Sequence, residues 1–319
     1  MLQSRKNHRF NFLGISLEQL LISLLIISLI NIAVFKFYSI IIKKFYIIRS
    51  QLSILYKQNV ASFLLRSNII QSGYKGFASN FLLPENTSMS KAYQISPKAP
   101  IAVCKASISN LNCHPFVNHK ILKKIITQEI KLNTDILLVY DIPVKIEKLL
   151  TNMLEYNSPV TINQKSIENF EIGDHMIISD FQYIQRFIIS GIMQNKLLHV
   201  SPYNSNHNLA KKFNENAEVI KVKHLAFYIA KNQGYKRDVY SLYMDDFSST
   251  STHALAIVDD VEDLSVKIPS NEIPIKLLDA ANIGWIRNEK YIIINLSFKN
   301  KSIENSKKNL FSMGVEIRN

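Results

Sequence analysis

With 319 residues, 47% of them hydrophobic, the chain can bury a sizeable core in one large domain or two small ones, which excludes a chain too polar to fold. The net charge of +13 favours polyanions. A diffuse solvated surface and the many Ile, Lys and Asn residues typical of AT-rich coding account for that excess, so charge by itself assigns no partner.

The chain opens with a short basic leader, Met1–Gly14, carrying Arg5, Lys6 and Arg9 and no acid. An apolar run follows, and from Ile15 to Phe35 its only formal charge is Glu18. About 20 mostly apolar helical residues cross a hydrocarbon core, so a transmembrane segment is expected over about 15–36. A carboxylate beside such a run is costly to bury without a partner cation. A secretory signal would place its cleavage site after the apolar core; here the glycine precedes it.

No Gly or Pro occurs between Gly14 and Gly73, a span of 58 residues. Past the apolar half, Ile41, Phe45, Ile48, Leu52 and Leu55 recur at helical spacing, with Lys43, Lys44, Arg49, Gln51 and Ser53 between them. The stripe runs on less regularly through Val60, Phe63 and Leu64. One helix over 15–72 is predicted, roughly 80 Å long at 1.5 Å per residue, its first half in lipid and its second half lying on a globular body. Gly73 is the expected stop.

The body is expected over 73–319 as α+β, an antiparallel sheet packed on the long helix. Loops are predicted at 86–91 and 96–100, and a short amphipathic helix at Ile121–Leu132. Strand patterns follow at Asp135–Tyr140, His175–Ser179, Phe187–Ser190, Leu197–His199, Val219–Val222, Leu225–Ala230, Val239–Met244, Ala254–Val258, Leu264–Ile268 and Tyr291–Phe298. Gly173-Asp174 and Gln233-Gly234 supply turn chemistry.

Two cysteines, Cys104 and Cys113, leave three readings open: a disulfide if the body lies in an oxidising compartment, a zinc set completed by His114 and His119, or buried free thiols. The acidic segment Asp259, Asp260, Glu262 and Asp263 lacks EF-hand spacing and is read, like Asp245-Asp246, as solvated turn; Trp285 is read as core. There is no Gly-x-Ser-x-Gly, HExxH, GxxxxGK[ST] or GxGxxG motif. No enzyme, cofactor or metal is expected.

Gly14-Ile15-Ser16-Leu17-Glu18-Gln19-Leu20 resembles a type IV prepilin leader junction: glycine, an apolar residue, Thr or Ser, Leu, any residue, Glu, Leu. Further segments are similar to PilW-type minor pilins. These are Gln58–Leu65 followed by Gln71-Ser72-Gly73-Tyr74-Lys75-Gly76, then Gly173–Asp180, Ala256–Leu264, Ala281–Phe298 and the Arg318-Asn319 ending. The resemblance implies a pilin-like fold and cleavage between Gly14 and Ile15 by a prepilin peptidase, with N-methylation of Ile15. It implies single-pass residence in the inner membrane with a periplasmic body, and later a place at the pilus tip or base. The implied partners are other minor pilins, the major pilin, membrane lipid and the assembly platform, with nucleic acid possible but not required. The implied role is priming and capping a type IV pilus. A type II secretion pseudopilin of the J kind and a DNA-uptake or adhesin module are the alternatives.

Glu18 is implied to offset the N-terminal charge of a neighbouring subunit. It is the fourth residue after Gly14, where the pattern has glutamate fifth and this chain has Gln19. Phe77 stands where many members carry cysteine, which leaves Cys104–Cys113 as the candidate disulfide.

Overall fold

A computed structural model describes residues 17–74, 76, 100–106, 129–200, 208–209, 211–232, 234, 239–248, 254–269, 277–279, 285–286, 291–299 and 309–317. The chain divides into two units, Met1–Ser53 and Ile54–Asn319. The division falls inside one unbroken helix, α1 (Leu17–Gln71, 55 residues), so the last turns of α1 belong with the sheets. With no Gly or Pro in it, nothing in α1 interrupts the backbone ladder.

Beyond the helix the described elements are strands. They are β1 (Ile101–Lys105), β2 (Asp135–Lys148), β3 (Val160–Thr161), β4 (His175–Ser179), β5 (Ile184–Met193), β6 (Lys196–Val200), β7 (Glu218–Lys231), β8 (Tyr240–Asp246), β9 (Leu255–Asp259), β10 (Val261–Pro269), β11 (Leu277–Asp279), β12 (Trp285–Ile286), β13 (Tyr291–Phe298) and β14 (Asn309–Glu316). All pairings between them are antiparallel. A ten-stranded sheet runs β12-β1-β2-β7-β4-β5-β6-β3, with β8 also pairing β7 and β9 pairing β8. A second sheet runs β11-β10-β13-β14. The coarse expectation, a long apolar helix with an antiparallel α+β body, holds.

Strand alternation decides where the core sits. On β2 and β7, Leu137, Val139, Ile142, Leu225, Phe227 and Ile229 face one cluster, and Ile136, Leu138, Tyr140, Ala226, Tyr228 and Ala230 face another. The first cluster also takes Ala61, Leu65 and Ile69 of α1 and the inner faces of β10 and β13, so helix and both sheets share one core. The second sheet is also tied to the first by a buried polar contact: the Val266 amide donates to Asp135 Oδ2 at 2.8 Å.

Several expectations need correction. Val219–Val222 and Leu225–Ala230 form one strand, β7, because both faces of the sheet are covered there and His224 is buried among aromatic rings. The predicted helix Ile121–Leu132 lies mostly outside the described residues, but Ile130 bridges to Ala230, so no helix runs through to Leu132. β1, β3, β11, β12 and β14 were not anticipated as separate strands. The acidic segment is not merely solvated: Asp260 pairs with Lys57 of α1 at 2.6 Å, and Asp259 Oδ1 accepts from Ser241 Oγ at 2.6 Å and Asn232 Nδ2 at 3.0 Å. Asp245 is 4% exposed.

Candidate functional site

The membrane-capable half of α1 carries Glu18 in its first turn, where an acid complements the positive end of the helix dipole. Its apolar side chains, Leu20 to Phe35, are exposed, and the helix is long and apolar enough to cross a membrane. Two polar side chains within it are satisfied locally. Ser23 Oγ donates to the Leu20 carbonyl and Ser28 Oγ to the Leu25 carbonyl, both at 2.8 Å, which removes the cost of an unbonded hydroxyl in hydrocarbon. Gly14 and Ile15, the expected cleavage pair, lie outside the described residues.

Helical spacing separates two faces of the lower half of α1. Ala61, Leu65, Asn68, Ile69 and Ser72 are buried in the body and, at about 100° per residue, fall on one side. The predicted stripe Ile41, Phe45, Ile48, Leu52 and Leu55 falls on the opposite side, with Tyr56 and Phe63. These residues are exposed, Phe63 to 71% and Leu52 to 60%. Within Ile54–Asn319 the body takes the face of Ala61 and Leu65, with Val60 partly buried beside it, where small and branched side chains let the backbone approach a sheet.

The helix ends in a buried polar junction. Tyr140 and Asp141 together oppose the single residue His224, a bulge that turns the strand's carbonyls outward. Asp141 takes a positive φ of 52°, a conformation that aspartate tolerates better than most residues. The Gly73 amide donates to the Tyr140 carbonyl at 3.1 Å and the Tyr74 amide to the Asp141 carbonyl at 3.2 Å. Gly73, with φ 68°, thus ends α1 by handing its amide to the sheet.

A set of buried polar and aromatic side chains holds that bulge. Arg186 Nη2 meets Asp141 Oδ2 at 2.5 Å, and the Asp141 amide donates to His224 Nδ1 at 3.2 Å, which sets the neutral tautomer with its proton on Nε2. The ring of His175 stands edge-on to His224 at 5.0 Å, and Tyr140 and Phe247 flank His224 at 5.5 and 5.7 Å. Burial, joined by the charges of His175 and Arg186, pushes His224 down to about 3 in spite of Asp141. Burial also lowers His175, against the pull of Asp141, Asp246 and Asp174. Burial acts to raise Asp141, but Arg186 and His224 bring it below its ordinary range. These groups are committed to one another, and they pin the bulge that receives the end of α1.

Gly76 completes the junction. It has φ +66°, and a Cβ there would stand 2.5 Å from Glu218 Oε2 and 2.9 Å from Ser179 Cβ. Gly76→Ala should therefore cost about 2 kcal/mol or more in denaturant unfolding. Gly314→Ala, where a Cβ meets nothing within 4 Å, should stay within about 0.5 kcal/mol. Equal midpoints for the two variants would show that the close approach at Gly76 does not matter.

Cys104 is disulfide-bonded and 2% exposed on β1; Cys113, its expected partner, lies outside the described residues, as do His114 and His119. Among the described residues no group of three or more His, Cys, Asp or Glu is placed to hold a metal. Sequence reading missed Asp141, Arg186, His175 and His224 as a set. The available signal was Asp141 itself, a charge inside the apolar run Leu137–Ile142. Comparison with protein-family models, with curated proteins and with solved structures finds no match to this chain.

Proposed function

We propose that this chain is a minor pilin-like subunit of the PilW kind, anchored in the inner membrane by α1 with its body in the periplasm. It joins other such subunits to prime, and then cap, a type IV pilus. The observation that carries this reading is α1 itself. One helix runs unbroken from an exposed apolar segment with Glu18 in its first turn to a last stretch set into an antiparallel body. Two segments on which the family resemblance rests also meet in space, since Gly76 closes against Ser179 at the end of β4.

The mechanism is association. The stripe from Ile41 to Phe63 stays exposed on this chain and suits packing against the helices of neighbouring subunits. Glu18, buried between such helices, is offset by the ammonium at Ile15 of the next subunit, an attraction far stronger in an apolar surround than in water.

The test is the N-terminal mass of the chain recovered from membranes with and without prepilin peptidase. A methylated Ile15 terminus only when the peptidase is present is the expected result. Glu18→Ala should then leave the amount of membrane-bound chain unchanged while sharply reducing filament number. An uncut leader, or cleavage elsewhere, overturns the reading.

A further inference from the structure

Most open strand edges in the body carry devices against the addition of another strand. Of β2, only residues 135–139 are covered by β1, and the edge of β2 beyond that bears Pro143, Lys145, Lys148 and a break in register. β9 is five residues long and irregular opposite β8, β11 has three residues, and β3 and β12 have two each. Short, bulged, proline- or lysine-bearing edges are how sheets avoid unwanted pairing.

β14 has none of these. All eight of its residues pair with β13 with no shift in register, and its other side has no strand among the described residues. Between Asn309 and Glu316 there is no Pro, Lys or Arg. Phe311 and Met313, on the core side, are only partly covered, and Leu310 on the outer side is 67% exposed.

We propose that a second copy of this chain adds to this edge, the two β14 strands running antiparallel about a two-fold axis at Ser312. The pleat allows only registers that keep core-side residues opposite core-side residues. With the axis at Ser312, Phe311 faces Met313 of the other copy. Leu310 covers the open position at Gly314 of the other copy, and the two Ser312 residues meet. Moving the axis to Met313 would instead set the exposed apolar Leu310 against the charged Glu316 and leave Gly314 opposite Ser312, a poorer match of cross-strand neighbours. Side-chain volume and polarity therefore select Ser312. A polar row already crosses the sheet to that point: Ser312 Oγ donates to Asn295 Oδ1 at 2.6 Å, and Asn295 Nδ2 reaches Ser265 Oγ at 3.5 Å. The two-fold axis carries that row on into the other copy. The isologous contact closes at two copies.

The experiment is cysteine cross-linking of the full chain in its own membranes under a mild oxidant. Facing residues of an antiparallel pair have Cα atoms about 4.5–5.5 Å apart, inside the range a disulfide can bridge. Ser312→Cys should give a covalent dimer. Leu310→Cys alone and Gly314→Cys alone should not, because each faces the other position across the axis. The two mixed together should cross-link, and this pair leaves Ser312 intact should its replacement harm folding. Dimer yields that do not depend on position, no dimer from either Ser312→Cys or the mixed pair, or a cross-link to a protein of different mass would overturn the proposal. Each of these outcomes leaves the reading of α1 standing, since they test a different surface.

Discussion

Arg186→Met should lower the stability of the body by about 3–5 kcal/mol, the range for removing one partner of a buried ion pair. The side chains of Arg186 and Asp141 are 11% and 3% exposed, so little solvent screens the contact. Methionine fills much of the arginine's volume but leaves the Asp141 carboxylate without the cation that holds its titration down. The protein must then bury an uncompensated charge or protonate it, and either outcome loosens the bulge that receives Gly73 and Tyr74. Denaturant unfolding of the detergent-solubilised chain measures the effect. Arg186→Lys, a single point charge on a flexible stem, should recover part of the loss. The double variant Asp141→Asn/Arg186→Met should be less destabilised than the sum of its single changes. A midpoint for Arg186→Met within about 1 kcal/mol of the unchanged protein would mean the pair does not hold the junction.

Acid should unfold the body from the side of its histidines before its carboxylates matter. His224 is held down to about 3 when folded, against about 6.5 in an unfolded chain. Between those values the unfolded state binds the extra proton, so stability falls as pH drops from about 6.5 toward 3. Over the whole window this amounts to on the order of 4 kcal/mol for a group only 2% exposed. His175 and His199, both lowered by burial, act in the same direction. Asp141 adds to the loss only lower down: its folded titration lies below the ordinary carboxylate range, so its contribution is present above about pH 4 and disappears as pH falls through the folded value. Melting temperatures at pH 7, 5.5 and 4.5, on an ordinary laboratory scale, should decline steadily. His224→Asn keeps an acceptor near the place of Nδ1 and cannot titrate, so it should flatten that decline while lowering the starting value. A wild-type melting temperature that stays level from pH 6.5 to 4.5 would refute the assignment, as would an undiminished slope in His224→Asn.

Much of the architecture was legible because it is written in local patterns. A span of 58 residues free of Gly and Pro produces one helix, and short apolar, isoleucine-rich runs marked strands such as His175–Ser179 and Tyr291–Phe298 at their observed bounds. Strand joins were less legible. β7 carries His224 in its middle, and a polar residue there looks like an interruption until the rings of Tyr140, His175 and Phe247 are seen around it. β14 was missed because Ser312 and Gly314 break an apolar pattern whose outer face needs no apolar residue at a sheet edge.

By itself, the sequence determined the helix, its apolar first half, the lone acid near its start and an antiparallel body, since each depends on neighbours along the chain. Which face of the helix meets that body was settled only by tertiary structure. Periodicity marked a stripe from Ile41 to Leu64, and in the part of the helix that belongs with the body the buried contact was made by Ala61, Leu65 and Ile69 with Val60 beside them, because backbone approach to a sheet rewards small and branched side chains. The junction of Asp141, Arg186, His175 and His224 likewise came only from folding, since its members lie on four strands and their interaction arises when burial removes the water between them.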